Sequence, residues 1–157
     1  MLTLQGVDWS GRLIGRCSYK FNPIPVIPKT CRIYPMILHW SKVLESSLFP
    51  ADPQEILMAI AGLKAHFPGQ SMSEKENEIL IRDYLTDLSI FPADLIERVC
   101  REYRLDGNNK YFPKVGQLYA KLVQYFSIRI AKSNKLHALI EASENESNNN
   151  KHLNPNY

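Results

Sequence analysis

The side chains with the clearest chemical potential in this chain are basic. Arg98, Arg101 and Arg104 recur every third residue, and Lys110 and Lys114 follow on either side of Tyr111. On a helix each three-residue step turns ~300°, so the three arginines form one slanting row. A guanidinium donates hydrogen bonds in a planar fork that fits phosphate, and a tyrosine ring can stack on a base. Arg98, Arg101, Arg104, Lys110 and Lys114 are therefore the candidate nucleic-acid-binding residues. The plainer account is a solvated helix face, because Glu97 with Arg101 and Arg98 with Glu102 have the i,i+4 spacing of ordinary surface ion pairs.

Other chemistry finds little footing. The chain has no GxxxxGK[ST] phosphate loop, no GxGxxG, no GxSxG elbow and no HExxH pair. His39, His66, His137 and His152 are dispersed, with no second ligand at zinc-site spacing. Glu74, Glu76 and Glu78 could imitate a paired-carboxylate acid/base site. They also follow Ser73, where the first turn of a helix favours anions, and that reading is the simpler one. Cys17, Cys31 and Cys100 are odd in number and lack CxxC spacing. Cys17 and Cys31 could pair in an oxidising compartment, but reduced thiols are the expectation without an export signal. The expectation is thus a protein that is not an enzyme and holds no cofactor or metal.

The positioning elements come next. The 157 residues, 45% of them hydrophobic, suffice for one modest core. No apolar run approaches the ~20 residues of a membrane span, and the N-terminus lacks a secretory pattern, so a cytoplasmic location is expected. Charge alternates along the chain: residues 1–33 carry five basic and one acidic side chain, residues 34–91 four and eight, residues 92–135 nine and four, and residues 136–157 one and three. The nine-to-four segment contains the arginine row.

Residues 1–33 form an extended, basic arm in this reading, because Pro23, Pro25 and Pro28 exclude helix. Leu2, Leu4, Val7 and Trp9, then Leu13 and Ile14, flank Ser10-Gly11 as in a marginal hairpin, or translation starts at Met36. From Pro35 the pattern is helical: Met36, Ile37, Trp40, Val43, Leu44 and Leu48 make an apolar stripe. Asp52-Pro53-Gln54-Glu55 and Ser73-Glu74-Lys75-Glu76 open a second and a third helix. Leu95, Ile96, Val99, Cys100 and Tyr103 predict the buried face of a fourth. Val115, Leu118, Leu122, Phe126 and Ile130 predict a fifth, continuing weakly through Leu136, Leu139 and Ile140. Asp106-Gly107-Asn108-Asn109 is a turn by composition. The Asn/Ser/Glu stretch beyond is expected to be a disordered polar tail. Four Phe-Pro pairs, beginning at Phe49, Phe67, Phe91 and Phe112, each place a hydrophobic anchor beside a helix breaker. The expected fold is all-α: a compact array of about five helices in residues 34–132, with an extended Pro-rich N-terminal arm and a flexible C-terminal tail in residues 133–157.

Residues 81–122 carry a resemblance. A helix with Tyr84-Leu85 leads to Phe91-Pro92, then to Leu95-Ile96-Glu97-Arg98-Val99, and then to Lys110-Tyr111-Phe112-Pro113-Lys114 opening another helix. This resembles small phage proteins that load or restrain the replicative helicase, in which a short helix runs into a Phe-Pro-Pro-Thr-like helix opening. Lys114-Val115 stands where that family has Pro-Thr, and residues 1–33 have no counterpart. The resemblance implies a non-enzymatic DNA-replication accessory protein, phage- or prophage-derived, with a helical domain and a flexible tail that touches a replicative helicase or initiator. In this chain Leu136, Leu139 and Ile140 would be the partner-binding residues, docking as a turn or two of helix. They could equally extend the fifth helix onto the protein's own core. A small nucleic-acid-binding module, and a structural or adaptor protein of another phage or bacterial system, stay open as alternatives.

Overall fold

The computed structural model describes residues 24–67 and 72–152, and among these there are five helices and no strand. They are α1 (Tyr34–Ser46), α2 (Pro53–His66), α3 (Glu74–Leu88), α4 (Ala93–Leu105) and α5 (Val115–His152). The protein is all-α, as its periodicities predict. The hairpin and the alternative start concern residues outside the described ones, apart from the approach to α1.

Local chemistry sets the helix starts. Asp52 caps α2: its carboxylate accepts from the Gln54 N–H at 2.8 Å, and the Glu55 side chain takes the Asp52 N–H at 2.8 Å, with Pro53 in the first turn. Ser73 and Glu76 form the same reciprocal box at α3. Pro92 precedes α4 in extended backbone, where it loses no helical hydrogen bond.

The contacts divide the chain into two units, one comprising residues 48–127 and the other residues 1–47 with 128–157. This division differs from expected boundaries after residues 33 and 132. It groups α1 with the later part of α5, where the Arg129 guanidinium donates to the Ser47 carbonyl at 2.8 Å just past the end of α1, and His137 Nε2 comes to 4.0 Å from the Glu45 carboxylate.

Residues 48–127 hold the hydrophobic core. Ile56, Ile60 and Leu63 of α2, Tyr84 and Leu88 of α3, and all five expected residues of α4 are buried in it with Leu118 and Leu122 of α5. Phe91 is fully buried and meets Tyr119 and Phe126 edge-on, at 5.3 and 5.6 Å between ring centres. The Phe91 carbonyl also accepts the Ala51 N–H at 2.9 Å, tying two Phe-Pro corners together. Phe67 and Phe112 are half-buried against the same core. Phe49 departs from the anchor expectation: it is 70% exposed, and the pair there only breaks the chain.

Two further expectations are corrected. The stripe on α1 faces inward only in part: Met36 is 57% exposed, Trp40 53% and Val43 39%, Ile37, Leu44 and Leu48 are half-buried, and Tyr34 and Ser41 are the buried residues. The buried side of α1 is centred on Tyr34 and Ser41 and takes in only one edge of the apolar stripe, so the stripe and the inward side overlap in part. The tail also departs from expectation, since α5 continues as helix to His152. Once a helix exists, each added residue needs no new nucleation, which carries the turns through a polar stretch. Ser143 fixes one point of it, accepting the Ile27 N–H at 3.1 Å and donating to the Leu139 carbonyl at 2.7 Å. The approach to α1 is otherwise non-helical up to the turn at Pro28, whose carbonyl accepts the Cys31 N–H.

Candidate functional site

The site is built where α4 hands over to α5. Asp106 ends α4, and its carboxylate oxygen takes both the backbone and the side-chain N–H of Asn108, each at 3.0 Å. Asn109 turns back and donates its side-chain amide to the Tyr103 carbonyl at 2.9 Å, satisfying one of the helix's last acceptors. The Tyr103 phenol donates to the Tyr111 carbonyl at 3.2 Å, and the buried Tyr84 phenol donates to the Pro113 carbonyl. Burial pushes the Tyr84 phenol well up from its ordinary value, so it stays protonated as a donor. Gln117 accepts the Lys114 N–H at 2.8 Å and fixes the first turn of α5. Each backbone hold comes from a different residue, so the connection has one shape without a helix of its own.

That shape is a groove of about 490 Å³, lined by Asn108, Asn109, Lys110, Tyr111, Lys114 and Gln117 among others. Tyr111 is 74% exposed, although its neighbours Phe112 and Pro113 are packed inward. Lys110 and Lys114 are exposed and have no ion-pair partner among the described residues. Asp106 is the only carboxylate between residues 106 and 117, and Asn108 occupies it.

The arginine row is not part of this groove. Arg98 donates to Glu102 at 2.9 Å, and its guanidinium lies 4.2 Å from the centre of the Tyr125 ring. Tyr125 in turn donates to the other Glu102 oxygen at 2.8 Å. The bond from Arg98, then that from Tyr125, holds the Glu102 carboxyl below its ordinary value; the bond to Glu102 raises Arg98 and Tyr125. Arg98 is thus engaged by Glu102 of its own helix and Tyr125 of α5, whereas Arg101 and Arg104 are exposed on α4. Of the five candidate basic residues, the structure gathers Lys110 and Lys114. Sequence reasoning treated Asn108 and Asn109 only as turn formers and missed Gln117 and Tyr125; the amide-rich turn directly before Lys110 was the available signal.

No protein-family model, curated protein or solved structure matches this chain.

The remaining candidates have structural settings. Glu76 serves the Ser73 cap, and the backbone bond from Ser73, followed by the hydroxyl, keeps its carboxyl low. His39 and His66 are exposed beside the aromatic rings that follow them. Among the described residues no three His, Cys, Asp or Glu side chains come together as a metal site, and no helix is long and apolar enough to cross a membrane. Leu136, Leu139 and Ile140 are half-buried on α5 and helical. Cys31 and Cys100 are free thiols; burial pushes the Cys100 thiol up to about 12, against a lowering by Arg104.

Proposed function

We propose that the chain is a non-enzymatic, cytoplasmic accessory protein of phage-type DNA replication that acts by binding a replicative helicase or initiator. The resemblance of residues 81–122 supplies the partner class. The structural observation that supports an adaptor is the outward apolar face of α1, where Ile33, Met36, Trp40 and Val43 follow one another at three- and four-residue spacing, each more than a third exposed. Such a face has the anchor spacing of a helix that lies in a partner's groove, and tryptophan is among the residues that dominate interfaces. Leu136, Leu139 and Ile140 belong to the same unit as α1 and extend the candidate docking residues.

The test is capture of purified host helicase, and separately of the initiator, by the immobilised full chain. One of them should be retained, and Trp40→Ala should weaken its binding by roughly 30-fold or more. The variant should keep nearly the wild-type melting temperature, because Trp40 is half exposed. If neither protein is retained by the wild-type chain, the proposal fails.

A further inference from the structure

We propose that the groove between α4 and α5 binds single-stranded nucleic acid, with a base stacked on Tyr111 and backbone phosphates on Lys110 and Lys114. This goes beyond the adaptor reading and rests on residues in the other unit. Three observations converge on it. Tyr111 holds its place through its backbone, whose carbonyl takes the Tyr103 phenol, while 74% of the residue is exposed. A large aromatic ring left in water beside a groove is a stacking platform, because every base has a π-face to offer. Lys110 and Lys114 bracket the ring in sequence, line the same groove and have no carboxylate partner among the described residues. Gln117 uses its carbonyl oxygen on the Lys114 N–H, which leaves its NH₂ group as a donor for a base edge.

The same features select a single strand over a duplex. In a duplex the base faces are stacked on one another, so the Tyr111 ring would have nothing to cover. A helix reading the major groove would need a free basic row, and Arg98 is bound to Glu102 and Tyr125. Arg101 and Arg104, exposed on α4, can prolong the phosphate track without forming the base-binding part.

The experiment measures fluorescence anisotropy of a labelled oligothymidylate of about 15 nucleotides, near the upper end of the ~4–16 nucleotides that an OB-fold single-strand site covers. The full chain is titrated at several salt concentrations from ~50 to ~200 mM. Binding should weaken with salt, and Lys110→Ala and Lys114→Ala should each flatten the log–log slope by about 0.7. Tyr111→Ala should weaken binding roughly 5- to 150-fold, and Tyr111→Phe should restore it. Unchanged circular dichroism shows that the variants are folded. Trp40→Ala should bind the oligonucleotide normally, so failure of the adaptor reading and failure of this one are separable. No binding at the lowest salt, equal binding by Tyr111→Ala, or equal binding of a duplex of the same length each overturns the proposal. Loss of helicase capture by Tyr111→Ala, with no oligonucleotide binding, would assign the groove to a protein and overturn it too.

Discussion

The Arg98 guanidinium lies 4.2 Å from the centre of the Tyr125 ring, one α4 side chain set against an α5 ring. Glu102 joins both, accepting from Arg98 at 2.9 Å and from the Tyr125 phenol at 2.8 Å. The first arginine of the basic row is therefore a link between helices, and the row's positive field is reduced at that end.

This link has a pH dependence of defined sign. Glu102 is held below its ordinary value of 4.5 in the folded protein, so its contribution is present above the unfolded carboxylate value. It is lost as pH falls through the lower, folded value. Thermal melts of wild type and Glu102→Gln should differ at neutral pH and converge in acid. A difference that grows on acidification would reverse the assigned sign.

The core predicts a contrast between leucine and arginine. Leu118 is fully buried, so Leu118→Ala should cost ~2–5 kcal/mol in urea unfolding. Arg101 is exposed, and Arg101→Ala should change stability by no more than about 0.5 kcal/mol. Equal costs would mean that the arginine is a structural element of the domain.

Thiol chemistry gives a third check. Burial raises the Cys100 thiol to about 12, so little thiolate exists near neutrality and reagents have little access. Alkylation at pH 8 followed by peptide mapping should leave Cys100 unmodified in the folded protein and modify it in urea. Cys31, only half-buried, should react before Cys100. Rapid native modification of Cys100 would contradict the packing of α4.

Removal of residues 134–157 tests the end of α5. It deletes Ser143 and with it the bond to the Ile27 N–H. The truncated chain should melt at a lower temperature than the full one, because that backbone donor loses its partner. An unchanged melting temperature with lost helicase binding would instead make this stretch a docking element only.

Much of the fold was legible in the sequence because its determinants are local. The Asp52/Glu55 and Ser73/Glu76 boxes fixed two helix starts, and the three- and four-residue recurrence of Leu95, Ile96, Val99, Cys100 and Tyr103 gave a true buried face. The inward side of α1 was only partly legible, since it takes Ile37 and Leu44 from one edge of the apolar stripe but is centred on Tyr34 and Ser41, a choice made by tertiary packing. The reach of α5 was hidden by its asparagines and serines, which disfavour helix one residue at a time. For the groove, Lys110, Lys114 and Tyr111 were visible as residue types. Their shared geometry was not, because it depends on phenol-to-carbonyl bonds from Tyr103 at the end of α4 and from Tyr84, which lies far back in the sequence on α3.

The division of buried residues has a consequence for exchange of backbone hydrogens with solvent. The large buried apolar side chains lie almost entirely between residues 48 and 127, whereas residues 1–47 and 128–157 contribute Tyr34, Ser41, Ala131, Ser133 and Ser143 as their buried set among the described residues. Opening α1 and the later turns of α5 therefore exposes little apolar surface, and such regions open at lower free energy than a core. Amides of α1 should take up deuterium well before those of α4, through fluctuations that leave the larger core closed. The helix that displays Trp40 would then also be the one released most readily from its own chain.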